Sequence, residues 1–275
     1  MAALAASASL VQRPKPQVAV NIVKGHFTIK TVTSRREYLQ VLRLRYDVFH
    51  REYRGRKFPF GIDTDRWDAF ADHLIIVDHR SRRVVGTYRM IPSTKSLNFY
   101  SASEFDVSAI LALPGIKLEL SRACIAPEWR SGAVISLLWR GVVAYSQQVG
   151  ADWLFGMGSV KSTLSSDILK VYQDLETMGA VAPDLDVQPV GVYRRQEIVV
   201  GVNELRAQSR RSPGASEREE EQSGELFPAL LRSYLRAGAR VCGYPAVDLE
   251  FNCADFFTLL DLSKVSGAYG RKFLK

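Results

Sequence analysis

The stretch "IKLELSRACIAPEWRSGAVISLLWRGVVAYSQQVG", residues 116–150, constrains the fold more than any other part of the chain. Its opening alternates apolar and polar residues in the manner of a strand. From Ser131 onward, Val134, Leu137, Leu138, Val142 and Tyr145 fall at i, i+3, i+4, i+8 and i+11, one apolar stripe along a helix that ends near Gly150. A strand that turns through Pro, Arg and Gly into such a helix calls for a sheet against which the stripe is buried.

The flanking segments extend the pattern. "KGHFTIKTV" reads as a strand. "SRREYLQVLRLRYDVFHREY" reads as a helix capped by Ser34, and "GRKFPFGIDTDRWDAFAD" as a loop. "HLIIVDH" and "RVVGTYRMIP" are two strands joined by a polar turn at Arg80–Arg82. "YSASEFDVSAILALPG" is expected to be helical, "DWLFG" a short strand, "STLSSDILKVYQDLETMG" a helix closed by Gly179, and "RRQEIVVGV" a strand. A helix, a strand, a turn and a last strand follow in "LFPALLRSYLRAGARVCGYPAVDLEFNCADFFTLLDL". Hairpin-like strands mixed with strand–helix units predict an α/β domain with a mixed sheet. We expect one domain over 21–275, behind a flexible tail at 1–20. The polar run 203–225 is expected to be a surface loop.

Net charge is +8, which points to an acidic partner: nucleic acid, anionic lipid or an acidic carrier protein. No zinc-finger, helix-turn-helix or RNA-recognition motif stands out, and nucleic acid is not expected. Three cysteines fit a reducing compartment better than a disulfide framework, and no His or Cys spacing suggests a metal site. No segment approaches a membrane span. The chain is expected to be cytoplasmic, at most peripheral at a membrane.

Glu119 and Arg122 stand three apart on the strand "IKLELSRACI" and would point to opposite faces of a flat sheet. Burying either alone is costly. A bulge would bend the strand and turn both into one cleft. The helix that follows "PEWRSG" offers free N–H groups at its start, which favour anions.

Strand–"APEWRSGAVISLLW"–helix resembles the acyl-donor motif of the Gcn5-related N-acetyltransferase superfamily. "RYDVFHREY" with Arg45 and Phe49, "DTDRWDAFADHLI" with Asp65 and Asp68, "VVGTYRMIPS" with Gly86 and Arg89, and "ELSR" with Glu119 and Arg122 follow in order. Together they resemble the acyl-homoserine-lactone synthases and, more closely, the ornithine N-acyltransferases of ornithine-lipid synthesis. The C-terminal segment is similar to the latter, and the resemblance covers about 29–262.

That resemblance implies a mixed, mostly antiparallel sheet flanked by helices, with a splayed central strand. It implies transfer of a fatty acyl group, often 3-hydroxylated, from acyl carrier protein to the α-amine of an amino acid, most often ornithine. No cofactor is expected. Glu119 is the expected base, because the attacking α-ammonium must first lose a proton. A salt bridge to Arg122 or Arg89 that only fixes the fold is its alternative. Backbone N–H groups from Arg122 to Cys124 would hold the oxyanion. Asp65 and Asp68 are expected either to bind the cationic acceptor or to cap their loop. Arg89 and Arg122 are expected to bind its carboxylate or to brace the acids. Arg45 and Phe49 would order the helix closing the site. Ala123, Cys124, Ile125, Arg130, Gly132 and Trp139 are expected along the acyl and phosphopantetheine path, with Cys124 a buried thiol rather than a nucleophile. Arg43, Arg51, Arg54, Arg56 and Lys57 would steer the acidic carrier. Other readings are an N-acyl amino acid synthase with a different acceptor, a lactone synthase, a coenzyme A-dependent acetyltransferase and a non-catalytic carrier- or lipid-binding module.

Overall fold

The computed structural model describes residues 15–55, 60–130, 132–182, 184–211 and 227–265. The rest of the expected tail, Arg56, Lys57 and positions 212–225 of the expected loop lie outside the described residues. In chain order the elements are β1 (Asn21–Lys24), β2 (Phe27–Thr31), α1 (Arg35–Arg45), β3 (Asp72–Asp78) and β4 (Arg83–Pro92). These are followed by β5 (Phe105–Asp106), α2 (Ser108–Leu111), β6 (Ile116–Ile125), α3 (Ala133–Val149), β7 (Ala151–Val160) and α4 (Ser165–Thr177). Then come β8 (Val181–Ala182), β9 (Gln188–Pro189), α5 (Gln196–Arg211), α6 (Ala229–Ala237), β10 (Arg240–Cys242), β11 (Ala246–Asp248) and β12 (Cys253–Asp261). They form two compact units, and β6 gives its first four residues to the second unit and the rest to the first.

In the first unit the strand order is β1-β2-β3-β4-β6, with antiparallel pairing from β1 to β4. Alternation along β3 assigns its two faces. A Cβ on Gly141 of α3 would meet Leu74, so Leu74 faces α3. Ile75 packs with Val41 and Leu42 of α1, so its face carries α1. A register shift between Ile76 and Val77 swaps the faces. This is why Gly86 faces Val134 of α3 while Val84, two residues earlier, packs with the α1 cluster. The glycine lets α3 lie close to the sheet, since a Cβ there would stand 2.9 Å from Val134.

Ser34 caps α1 as expected, in a capping box with Glu37. The helix then widens into a π-helix over Tyr46–Tyr53, which the apolar spacing does not announce. Residues 15–20, assigned to the tail, are tied down: the Gln17 and Val18 amides donate to the Asp72 carboxylate at 2.8 and 3.3 Å. A buried carboxylate needs such donors, and Tyr145 adds a third at 2.8 Å.

In the second unit the order is β6-β7-β12-β10-β8, with β11 beside β12. The β7–β12 pair is long and antiparallel, whereas β8 and β10 run parallel, so the sheet is mixed. Helices α4, α5 and α6 supply Ile168, Tyr172, Ile198, Val202 and Leu231 to its core. Three expectations are corrected. "RRQEIVVGV" is the start of α5, because Ile198, Val199 and Val202 recur at helix spacing and bury together. Positions 203–211 continue that helix instead of opening a loop. Leu205 packs on the core, Asn203 accepts from the Tyr244 hydroxyl at 2.7 Å, and Arg206 donates to Tyr172. "YSASEFDVSAILALPG" is a 3-10 turn, a two-residue strand and one helical turn.

Candidate active site

A buried ionic network lies on the α1 face of the first unit. His73 and Arg89 face each other across β3 and β4. Arg45, the last residue of α1, is fully buried. Its Nε donates to Asp63 Oδ2 at 2.7 Å, and Nη1 and Nη2 donate to the two Asp68 oxygens at 2.7 and 3.2 Å. Arg89 donates to Asp65 at 2.5 Å, to Asp68 at 3.2 Å and, through Nε, to Ser121 Oγ at 2.9 Å. Arg122 on β6 reaches Asp65 at 3.3 Å and lies 3.4 Å from Asp63. Asp65 also caps the 3-10 turn Arg66–Ala69 in a capping box with Asp68.

Of the two arrangements open for Asp65 and Asp68, the structure contains the capping and bracing one. Their oxygens face three guanidinium groups, so they present no open anionic pocket to a cationic acceptor. Asp63 and His50 belong to the network, with His50 Nε2 3.0 Å from Asp63. Burial alone would raise the Asp63 carboxyl, but Arg45, His50 and Arg122 hold it well below the usual carboxylate range. Burial likewise opposes the ionised form of Asp68, and the Arg45 and Arg89 guanidinium groups overcome it.

His73 is the network's uncharged member. Burial pushes it down to about 3; Asp68 opposes this, and Arg45, Arg89 and Lys95 add to it. Neither ring nitrogen has a hydrogen-bond partner, and Nε2 is 3.8 Å from Asp68. The unfolded chain therefore binds a proton at this residue below about pH 6.5 that the folded chain refuses. The stabilisation is present above that pH and is lost as pH falls towards about 3. Denaturant titrations at pH 7.5 and pH 5 should show the wild type losing about 2 kcal/mol more than His73→Leu over that interval. Equal losses would mean His73 is already protonated in the folded protein.

On β6 the irregularity falls at Arg122, whose φ of 49° is left-handed. Arg122 stacks its guanidinium over Phe49 at 5.5 Å, so Phe49 meets the network through a cation–π contact. Glu119 has other partners: it accepts from the Tyr100 amide at 2.9 Å, the Ser101 amide at 2.7 Å and Ser101 Oγ at 2.7 Å. The geometry is that of an anchor for the 100–104 turn.

Beyond the kink, the thiol of Cys124 packs with Val41, Val48 and Ala126 in the α1 core. Burial pushes it up to about 12. Its side chain is spent in packing. Trp139 is likewise buried in the first unit, while Ala123 and Ile125 are half-buried. Gly132 caps α3 at φ 90°, with open space where a Cβ would stand. Arg130 forks onto Glu52 at 2.6 and 2.7 Å. Leu44, Asp47, Arg51, Glu52, Pro127 and Arg130 line a groove of about 570 Å³ at this turn.

The basic cluster divides. Arg51 pairs with Asp47 at 2.8 Å, and Arg54 Nη1 lies 3.3 Å from His50. Arg43 instead opens onto a second groove of about 600 Å³, together with Arg35, Arg36, Arg82 and Arg83 and with no acidic residue in its lining. Sequence reading missed the other four because the β3–β4 turn reaches the start of α1 only in the folded chain.

In the second unit, ligand oxygens of Glu104, Asp248 and Asp255 lie within 4.8 Å of one another. All three residues are buried. No sequence motif marks them, since they come from a turn and two late strands.

Residues 44–140 match the family model described as an acetyltransferase (GNAT) domain. That span holds the network, the kinked strand and the first half of the glycine-capped helix. The chain is 30% identical over 243 residues to an L-ornithine N(alpha)-acyltransferase of Rhizobium meliloti, covering 82% of this chain and 77% of that one. It is 29% identical over 261 residues to an L-ornithine N(alpha)-acyltransferase of Brucella abortus, covering 89% and 88%. It belongs to the family of these L-ornithine N(alpha)-acyltransferases. Among solved structures it is similar to a CoA-dependent acyl-homoserine lactone synthase, BjaI, at 17% identity and a TM-score of 0.46, over 83% of this chain and 77% of that one. Among the described residues, no helix is long and apolar enough to cross a membrane.

Proposed function

We propose that this protein transfers a (3-hydroxy)fatty acyl group from acyl carrier protein to the α-amine of ornithine. The product is a lyso-ornithine lipid. The observation that carries this reading is the 30% identity to the Rhizobium meliloti enzyme across most of both chains. In the reaction the neutral α-amine attacks the thioester carbon and an N–C bond forms. The C–S bond then breaks, and the amine proton leaves with the thiol. Backbone N–H groups at the Arg122 kink are proposed to hold the oxyanion. Transfer is direct, because a thiol held as high as that of Cys124 carries almost no thiolate at neutral pH.

The carrier is proposed to dock at the groove of Arg35, Arg36, Arg43, Arg82 and Arg83. Five exposed arginines suit an acidic partner, with Arg83 also meeting Glu128 at 3.4 Å. Contact with a membrane surface would follow from release of an amphipathic product. Glu119 is assigned a positioning role, holding the 100–104 turn, in place of the general base expected from its motif.

The test is expression of wild type and Glu119→Gln in a bacterium that lacks ornithine lipids, with mass spectrometry of the lipid extract. An acyl-ornithine that appears with the wild-type gene and not in the host alone supports the reading; its absence with soluble protein and carrier present overturns it. Purified Glu119→Gln separates the two roles. As an anchor it should lose about 1–3 kcal/mol of stability, from amide hydrogens set against donors, while keeping the wild-type pH profile. Loss of the acid limb of kcat/KM, with a drop of about 10²–10⁴, would restore Glu119 as the base.

A further inference from the structure

We infer that Phe49 and Asp63 are positioning residues for acyl transfer. With Asp65 they tether Arg122 in its left-handed conformation and so shape the backbone of β6 at that point. This rests on the proposed oxyanion site at the kink and names what keeps the kink in place.

A left-handed backbone is uncommon for a residue that carries a bulky side chain. It persists where surrounding contacts over-determine it. Among the described residues, the other left-handed non-glycines, Arg82 and Asn252, lie in turns between strands, whereas Arg122 lies inside one.

The side chains around the kink show what holds it. In a regular strand, consecutive side chains point to opposite faces. Ser121 and Arg122 instead reach the same group of residues. Ser121 Oγ accepts from Arg89 Nε at 2.9 Å, and Arg89 donates to one Asp65 oxygen at 2.5 Å. Arg122 Nη2 donates to the other Asp65 oxygen at 3.3 Å. Successive side chains drawn to one set of partners require a backbone that departs from strand geometry, and the departure falls at residue 122.

The Arg122 guanidinium has two further partners. Asp63 Oδ2 lies 3.4 Å from its Nε, and the Phe49 ring lies 5.5 Å from its central carbon. These partners are themselves fixed. The Asp63 amide donates to the Leu42 carbonyl at 3.0 Å, and its carboxylate accepts from Arg45 Nε at 2.7 Å, which anchors it to the end of α1. Phe49 comes from the π-helical stretch that continues α1, and Asp65 is held in its capping box.

The chemical consequence lies in the backbone. A left-handed residue turns the peptide planes beside it away from a regular ladder, as in a bulge. Donors for a developing oxyanion work best when they are in place before the reaction. A tethered kink supplies that order without the guanidinium touching substrate.

The experiment compares purified full-length Arg122→Gly with Arg122→Ala, using a 3-hydroxyacyl acyl carrier protein and L-ornithine. Both lose the guanidinium, while Asp63 and Asp65 keep Arg45 and Arg89 as partners. Only glycine takes the left-handed conformation freely. The alanine variant should lose about 10²-fold in kcat from displaced donors, and the glycine variant should exceed it at least about tenfold. Equal kcat values would overturn the positioning role. Phe49→Leu and Asp63→Asn should fold, because Arg45 keeps Asp68 and an amide oxygen. Each should lower kcat about tenfold while the KM for ornithine moves less than about twofold. In the Arg122→Gly background the same replacements should cost less than about threefold, since the tether has nothing left to hold. An equal loss in both backgrounds would overturn the tether.

Crystal structures give a readout independent of activity. Residue 122 should leave the left-handed region in Arg122→Ala and keep it in Arg122→Gly. Retention of that conformation in Arg122→Ala overturns the tether at any level of turnover. If residue 122 relaxes in Arg122→Ala while kcat stays at the wild-type value, the tether stands but positions nothing, and the reading of the kink as the oxyanion site fails. If wild type acylates no amine, the proposed reaction fails, and the crystallographic comparison still decides the tether.

Discussion

Replacing Arg45 by Met should lower the stability of this protein by about 3–5 kcal/mol, with the Tm falling by about 6–15 °C. Arg45 is fully buried and supplies the closest cationic contacts to two carboxylates at once, Asp63 at 2.7 Å and Asp68 at 2.7 Å. Methionine matches much of its length but leaves both acids in a low-dielectric site without that partner. Arg89 and Arg122 touch the same acids from β4 and β6 and cannot fill the vacated geometry. The cost is that of orphaned buried charge, not of a lost surface pair. Adding Asp63→Asn and Asp68→Asn to Arg45→Met should therefore recover at least half of the loss. A single variant within about 1 kcal/mol of wild type would mean that water reaches the network and screens it.

Gly243→Ala should cost about 3 kcal/mol or more. Its φ is 71°, a conformation alanine adopts only under strain, and a Cβ would stand 1.7 Å from the carbonyl oxygen of Val187. Backbone cannot swing aside as a side-chain tip can, so β9 or β10 has to move. Gly132→Ala is the control: its φ is 90°, but nothing lies within 4 Å of the added carbon. It should cost only about 1 kcal/mol, from the dihedral alone. Equal effects at the two sites would show that strain, and not the collision, dominates at Gly243.

Local pattern made much of the first unit legible. Ser34 announced the start of α1, and the stripe from Val134 to Tyr145 announced α3 and its buried face. The turn through Gly132 pointed to a helix start. Such features depend on residues within a few positions of one another, where spacing and chemistry suffice. The errors came where two patterns compete. "EIVVGV" is β-branched enough to read as a strand, but burial of Ile198, Val199 and Val202 on one core made it helical.

By itself, the sequence determined the class of fold, the strand–turn–helix at its centre and the set of charged residues that had to be satisfied once buried. Only the tertiary structure decided who satisfies whom. Asp65 and Asp68 looked equally able to meet a substrate or their own chain, and the pairing of β3 with β4 brought Arg89 onto them. Glu119 and Arg122 looked like partners at three residues' distance, yet the left-handed backbone at Arg122 itself accompanies a separate set of contacts for each. Glu104, Asp248 and Asp255 carried no signal at all. Their closeness comes from strands and turns up to 151 residues apart in the chain. Short-range chemistry is written in the spacing of side chains, whereas the energy of a buried charge depends on what the whole fold brings within a few ångströms of it.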